Sequence, residues 1–306
     1  MKKPENTLFF VEGNPSFEDC DAAVLGVAFD ENASYGRGAA EAPAAIMQAS
    51  HQMETEIPLS GRTIQTAVHN FGIIKPKSAG EMLSETAAIA KKAIAAEKFF
   101  ILIGGDHSTV NGLLDALPKE TMFVNFDAHL DLREEWQGKK LSHAAVSRRV
   151  FDKGFEQIWV GARDGICEEE QEFVSEQGIS EKIFYCPSMP RAFYSGKEFP
   201  KWMKEENMLF GNAWENQSEK ILKLVGNRKV WLNIDIDCLD LRQGIETGVP
   251  TAFGLSLEQL NEMLFEICAK KEVLGFSLAE AIPDKKGKSQ AIAAMLCFNI
   301  LAWGRK

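Results

Sequence analysis

Asp127, His129 and Asp131 stand in the run Asn125-Phe126-Asp127-Ala128-His129-Leu130-Asp131, directly behind the apolar, β-prone stretch 121–126. A stretch of that kind reads as a buried strand. Along an extended chain, residues i, i+2 and i+4 point to one side. Two carboxylates and an imidazole therefore meet at a strand's carboxyl end, where open α/β sheets place their ligands. The arrangement recurs twice. Residues 229–236 form another apolar stretch with Asp235 and Asp237 at its end, and 99–103 closes with Gly104-Gly105-Asp106-His107. Singly, two of the motifs are ordinary: a lone DxD usually serves as a solvated loop or cap, and a lone histidine after Gly-Gly as the start of a helix; the DxHxD triplet is the stronger signal. Together they place four Asp and two of the chain's five His at three strand ends. Polar groups gathered on one buried face need a partner. An oxygen-rich set with a minority of imidazole suits Mn²⁺ better than Zn²⁺ or a soft metal, so the expectation is a dinuclear metal site.

The rest of the chain is organised to deliver those ends. Strands are expected at 22–28, 64–69, 99–103, 121–126, 157–161, 182–186, 229–236 and 273–278. Helices are expected near 42–53, 78–97, 108–117, 142–151, 168–177, 215–225, 257–270 and 289–303. Strand–helix alternation implies βαβ units and a parallel sheet. Continuously hydrophobic strands imply a sheet covered on both faces. The predicted fold class is α/β: a three-layer α/β/α sandwich on an eight-stranded, mainly parallel sheet. No linker, repeat or low-complexity stretch divides it, so residues 21–306 read as one domain. Residues 1–20 read as an extended lead-in whose Phe9-Phe10-Val11 packs on the domain or on a neighbouring subunit.

A net charge of −10 argues against a nucleic-acid surface and is compatible with a cationic substrate. Six scattered cysteines without a CxxC read as reduced thiols, not as a disulfide framework or zinc site. The start, Met1-Lys2-Lys3-Pro4, lacks a signal-peptide core, and no apolar run approaches the roughly 20 residues of a membrane span. A cytoplasmic protein is expected.

Two further residues bear on chemistry. Two Mn²⁺ sharing carboxylates can hold one water that ionises near neutral pH and attacks a poorly reactive carbon or phosphorus centre. His143 follows the metal triplet by the short loop 132–141, and an imidazole beside metals can carry a proton to a leaving amine. Glu280 follows the strand 273–278, and a carboxylate there can pair with a planar cation in bidentate fashion. Taken alone, each is more often a solvated loop or capping residue.

The combination Gly104-Gly105-Asp106-His107-Ser108, Asp127-Ala128-His129-Leu130-Asp131 and Asp235-Ile236-Asp237-Cys238-Leu239-Asp240 resembles the ureohydrolases: arginase, agmatinase and formimidoylglutamase. The likeness covers about residues 22–303 and includes Gly26-Val27-Ala28-Phe29-Asp30, Arg37-Gly38-Ala39 and Gly161-Ala162-Arg163. It implies an arginase-like fold with one Mn²⁺ on His107, Asp127, Asp131 and Asp235. The other lies on Asp127, His129, Asp235 and Asp237. It also implies that His143 is the proton shuttle, that Glu280 grips the substrate guanidinium, and that Asp131 takes part in proton transfer as urea leaves. Leu241 stands where the family usually has Pro, and His143-Ala144-Ala145 where many relatives have His-Gly-Thr. Asp131-Leu132-Arg133-Glu134-Glu135 through Ser142-His143-Ala144 looks closest to archaeal-type agmatinases. That likeness implies agmatine as substrate, putrescine and urea as products, a place in polyamine biosynthesis, and a homo-oligomer (trimer or hexamer). Arg133 must then point away or pair with Glu134 or Glu135. Aminopropylagmatine is the near alternative, and formimidoylglutamate is a second, since Arg133 could meet its carboxylate. Arginine is disfavoured by Leu132-Arg133. A zinc deacetylase on this architecture would not need the full ligand set, and a catalytically silent binding paralogue would be expected to have lost ligands.

Overall fold

Phe-Phe-Ile-Leu-Ile at 99–103 sends alternate side chains to opposite faces of a sheet. The computed structural model describes residues 14–54, 56–57, 62–63, 66–163, 165–186, 203, 207, 209 and 214–304. In it Ile101 and Ile103 enter one hydrophobic cluster while Phe100 and Leu102 enter another. The first strand divides in the same way, Ala22 and Val24 to one cluster, Ala23, Leu25 and Val27 to the other. A strand buried on both faces must be apolar throughout, which is why these segments read as unbroken hydrophobic runs.

The main sheet comprises β1 (Ala22–Val27), β2 (Val68–Ile74), β3 (Phe99–Ile103), β4 (Met122–Phe126), β5 (Glu156–Ala162), β6 (Ile183–Tyr185), β7 (Val230–Asp235) and β8 (Val273–Ala279). Their order is β2-β1-β3-β8-β7-β4-β5-β6. Every neighbouring pair is parallel. Among the described residues the α-helices are α1 (Ala42–Ser50), α2 (Ala79–Ala95), α3 (Val146–Asp152), α4 (Glu168–Gln177), α5 (Trp214–Val225), α6 (Leu257–Lys270) and α7 (Lys288–Gly304). Ile46 of α1, Val225 of α5, Leu264 of α6 and Leu296 of α7 cover one face of the sheet. Met82 of α2 and Val146 of α3 cover the other. The architecture is the expected three-layer α/β/α sandwich, with the sheet wholly parallel. No helix among the described residues is long and apolar enough to cross a membrane.

Three local expectations change. The second strand, expected at 64–69, runs at Val68–Ile74, and positions 64–65 lie outside the described residues, as does Phe9-Phe10-Val11. Asn70 and Gly72 look like turn residues but belong to an irregular edge strand: its register against β1 shifts between Val24 and Gly26, and Asn70 Oδ1 accepts from Gly72 N at 2.7 Å. The segment expected as a helix at 108–117 is a 3-10 turn, His107–Leu113. Thr109 and Asn111 donate side-chain hydrogen bonds to the carbonyls of Asp106 and Ser108, competing with a helical ladder. Finally, β7 ends at Asp235 and passes into a 3-10 turn, Ile236–Cys238.

In this strand order the four central strands, β3, β8, β7 and β4, end on the same edge of the sheet. That edge carries the site.

Candidate metal centre

β3 leads to His107, β4 to Asp127, His129 and Asp131, β7 to Asp235 and Asp237, and β8 to Glu280. The geometry that joins them is not the extended-chain alternation read from the sequence. β4 stops at Phe126, Asp127 Oδ1 accepts from His129 N at 2.7 Å, and Asp131 takes a left-handed backbone with φ 52°. Likewise Asp235 Oδ1 accepts from Asp237 N at 2.9 Å. Short aspartate turns, not strand pleats, aim the carboxylates inward.

His107 Nδ1 lies 2.8 Å from Asp131 Oδ2 and 3.4 Å from both Asp127 Oδ2 and Asp235 Oδ2. His129 Nδ1 lies 3.0 Å from Asp237 Oδ2 and 3.6 Å from Asp127 Oδ1. Two groups able to hold a cation result, His107-Asp127-Asp235 and Asp127-His129-Asp237. Asp127 is common to both, whereas Asp235 is grouped only with the first and Asp131 reaches it through His107. Asp127 Oδ2 is buried without a hydrogen-bond partner, an arrangement that a positive charge would satisfy.

Electrostatics say the same. Burial, with Asp131 and Asp237 nearby, raises the Asp127 carboxyl to about 7. Burial and the same crowding, from Asp237 and Asp127, push Asp235 well up. Burial disfavours charge on His107, yet its hydrogen bond to Asp131 and the surrounding carboxylates lift it to about 9. Burial opposes charge on His129 too, but Asp237 carries it well above the ordinary value; Asp237 falls in return, its pairing with His129 overcoming burial. Oxygen and imidazole donors of this kind fit divalent cations such as Mn²⁺.

Beside the clusters is a cavity of about 190 Å³ whose walls include Ser34, Arg133, Trp136, His143 and Glu280. Glu280, also left-handed at φ 65°, is 2% exposed. Its Oε1 accepts from His107 N at 2.8 Å and lies 3.3 Å from His143 Nδ1, while its Oε2 is buried without a partner. Arg133 does not pair with Glu134, which instead meets Lys140, Arg148 and Arg149. The Arg133 guanidinium lies over the Trp136 ring at 4.4 Å.

The structure thus brings together all eight sequence-predicted site residues: His107, Asp127, His129, Asp131, His143, Asp235, Asp237 and Glu280. Sequence reasoning assigned no role to several that hold them. Glu170, in the first turn of α4, accepts from Leu132 N at 3.0 Å and from Cys167 N at 3.2 Å, fixing the backbone beside Asp131. Its place three residues after Cys167 is a capping-box signal that the sequence carries. Buried Arg163 donates to the carbonyls of Asp237 (2.6 Å), Thr251 (2.9 Å) and Ala252 (2.9 Å). The Asn233 amide lies 2.9 Å from His107 Nε2, and Ser34 Oγ lies 2.7 Å from His143 Nε2. Those two contacts span 126 and 109 residues, and no local pattern announces them.

The model of the arginase family matches residues 20–186 and 203–302. The chain is 31% identical over 290 residues to N(1)-aminopropylagmatine ureohydrolase of Thermococcus kodakarensis, covering 92% of this chain and 90% of that one. It is 29% identical over 299 residues to agmatinase of Pyrococcus horikoshii, covering 93% and 92%. In fold it is similar to the crystal structure of agmatine ureohydrolase of Thermoplasma volcanium, with TM-score 0.77, 24% identity, and 95% and 92% coverage.

Proposed function

From the premise that this chain belongs to the arginase family, and is a hydrolase of guanidino carbon–nitrogen bonds, we propose that it is a dinuclear Mn²⁺ ureohydrolase that converts agmatine to putrescine and urea. One observation carries the reading. Two buried carboxylate oxygens without hydrogen-bond partners, Asp127 Oδ2 and Glu280 Oε2, belong to one site: the first is on a residue common to both cation groups and the second on a residue lining the adjoining cavity. A metal pair and a guanidinium are the complementary charges.

His107, Asp127, Asp131 and Asp235 would hold one ion, and Asp127, His129, Asp235 and Asp237 the other. When bound, the pair supplies a water that ionises near neutral pH. The remaining work falls to this chain's side chains. Glu280 Oε2 pairs with the planar guanidinium and orients its carbon toward the metal ligands. Asp131 is the carboxylate placed to take a proton during attack. His143, beside Glu280, gives a proton to the departing amine, so that water and guanidinium become urea and an ammonium. A net charge of −10 favours approach of a dication.

A second reading rests on Arg133. Its guanidinium lies on the cavity wall over Trp136 and is not drawn off by Glu134. A substrate with a carboxylate tail, such as formimidoylglutamate, would pair with it. Aminopropylagmatine differs from agmatine only in its tail. The test is urea release by the Mn²⁺-loaded protein across agmatine, aminopropylagmatine, arginine and guanidinobutyrate, with formamide or ammonia followed for formimidoylglutamate. Agmatine is expected to give the highest kcat/KM. A preference for the carboxylate-tailed compounds would replace the first reading by the second.

A further inference from the structure

We propose that Ser34 is the positioning residue for His143, its hydroxyl holding the ring nitrogen that Glu280 does not. The inference rests on the ureohydrolase reading, in which His143 moves a proton. Both ring nitrogens are engaged: Nδ1 lies 3.3 Å from Glu280 Oε1 and Nε2 lies 2.7 Å from Ser34 Oγ. An ionised carboxylate only accepts, so Nδ1 keeps its proton toward Glu280 and the neutral ring presents its lone pair at Nε2. A hydroxyl both donates and accepts. Ser34 therefore donates to Nε2 when the ring is neutral and accepts from Nε2–H when it is charged. The imidazole keeps one orientation through the whole proton cycle.

The segment carrying Ser34 is anchored on both sides. Asn32 N donates to Asp106 Oδ2 at 2.9 Å, and Asn32 Nδ2 donates to Leu141 O at 2.8 Å, two residues before His143. Gly36 N donates to Gly248 O at 2.9 Å. Asn32 thus ties the loop after β1 to the loop before His143, and Ser34 lines the cavity between them. Asp106, the acid of Gly104-Gly105-Asp106-His107 that joins neither cation group, is accounted for by this anchoring.

A double-mutant cycle in the Mn²⁺-loaded protein decides the matter, using Ser34→Ala, Ser34→Thr, His143→Ala and the double alanine variant. Ser34→Ala should lower kcat about ten- to a hundredfold, a part of the 10²–10⁴ that general acid–base catalysis contributes, with KM and Mn²⁺ content little changed. Ser34→Thr, which keeps the hydroxyl, should restore most of the rate. In the His143→Ala background, loss of Ser34 should cost nothing more. Full additivity of the two losses, or an unchanged kcat in Ser34→Ala, overturns the proposal. A readout independent of turnover is ¹⁵N NMR of the histidine rings in the protein loaded with diamagnetic Mg²⁺, His143 being assigned from His143→Gln. Ser34→Ala should shift the His143 Nε2 resonance; an unmoved resonance overturns the proposal even where no guanidino substrate is hydrolysed. Absence of turnover in the wild type alone bears on the ureohydrolase reading.

Discussion

Asp127 and Glu280 are both almost wholly buried, and each keeps one carboxylate oxygen without a hydrogen-bond partner. Their proposed complements differ, a metal pair and a guanidinium, and substitutions at Asp235 and Glu280 separate the two. In Asp235→Asn, a carboxylate proposed to hold metal becomes neutral, so Mn²⁺ and activity should be lost together. In Glu280→Gln, shape is kept and the charge opposite guanidinium is removed, a contact worth roughly 2–5 kcal/mol when desolvated. Mn²⁺ content should then stay normal while kcat/KM falls by about two to four decades, each 1.36 kcal/mol being about tenfold. Elemental analysis beside steady-state kinetics reads both. Full metal in Asp235→Asn would remove that ligand from the site, and near-normal turnover by Glu280→Gln would remove its substrate anchor. Asp131 and Glu280 also share a left-handed backbone, φ 52° and 65°. Such conformations cost about 1–3 kcal/mol and persist where the surroundings over-determine them.

Among elements, those with complete local signals were legible at their ends. Ser256 accepts from Gln259 N and Gln259 returns a bond to Ser256 N, and the helix begins at Leu257 as read. Helix 168–177 stops at Gly178, left-handed at φ 64°. The turn at 107–113 was not legible, because distant contacts add to the local bonds of Thr109 and Asn111 in shaping it. A Cβ on Gly105 would stand 2.0 Å from Phe29 O, and one on Gly112 would stand 2.5 Å from Thr86 Cβ. Gly105→Ala must therefore push the loop after β1 away from the strand end that carries His107. It should destabilise the protein by about 1–3 kcal/mol, as overpacking does. Gly80→Ala in α2, where a Cβ meets nothing nearer than Ser78 Oγ at 3.9 Å, should be neutral or stabilising by up to about 1 kcal/mol. Urea unfolding of the pair checks this; equal stabilities would contradict the contact.

For the molecule as a whole, the metal-free site sets a pH dependence. The Asp127 carboxyl, raised to about 7 by burial and neighbouring acids, stabilises the fold fully only below its unfolded value; that contribution is lost as pH rises through about 7. His107, raised to about 9, contributes fully below the ordinary histidine range and loses that contribution as pH rises through about 9. Cations replace these protons. Mn²⁺ should therefore raise Tm more at about pH 8.5 than at about pH 6, as scanning calorimetry would read. A larger gain at the lower pH would contradict the assignment. Chelation should leave secondary structure intact by circular dichroism, since the largest hydrophobic cluster alone draws on all eight strands of the main sheet and on helices along their length, and so does not depend on the ligands to hold together.

The sequence by itself determined the layers and the place of the site. Runs such as 22–27 and 99–103 are apolar on both faces, so they had to lie within a covered parallel sheet. Acids and imidazoles directly behind such runs had to gather at its carboxyl edge. The tertiary structure decided which of those groups touch. Strand order brings β3 and β8 beside β7 and β4, setting His107 against Asp131 and Glu280 against His143. It also supplied Ser34, Asn233 and Arg163, whose contacts reach across 74 to 126 residues. Local periodicity records which face a side chain takes; only the assembled sheet fixes what stands opposite, because long-range pairing depends on strand order and turns that no single segment encodes.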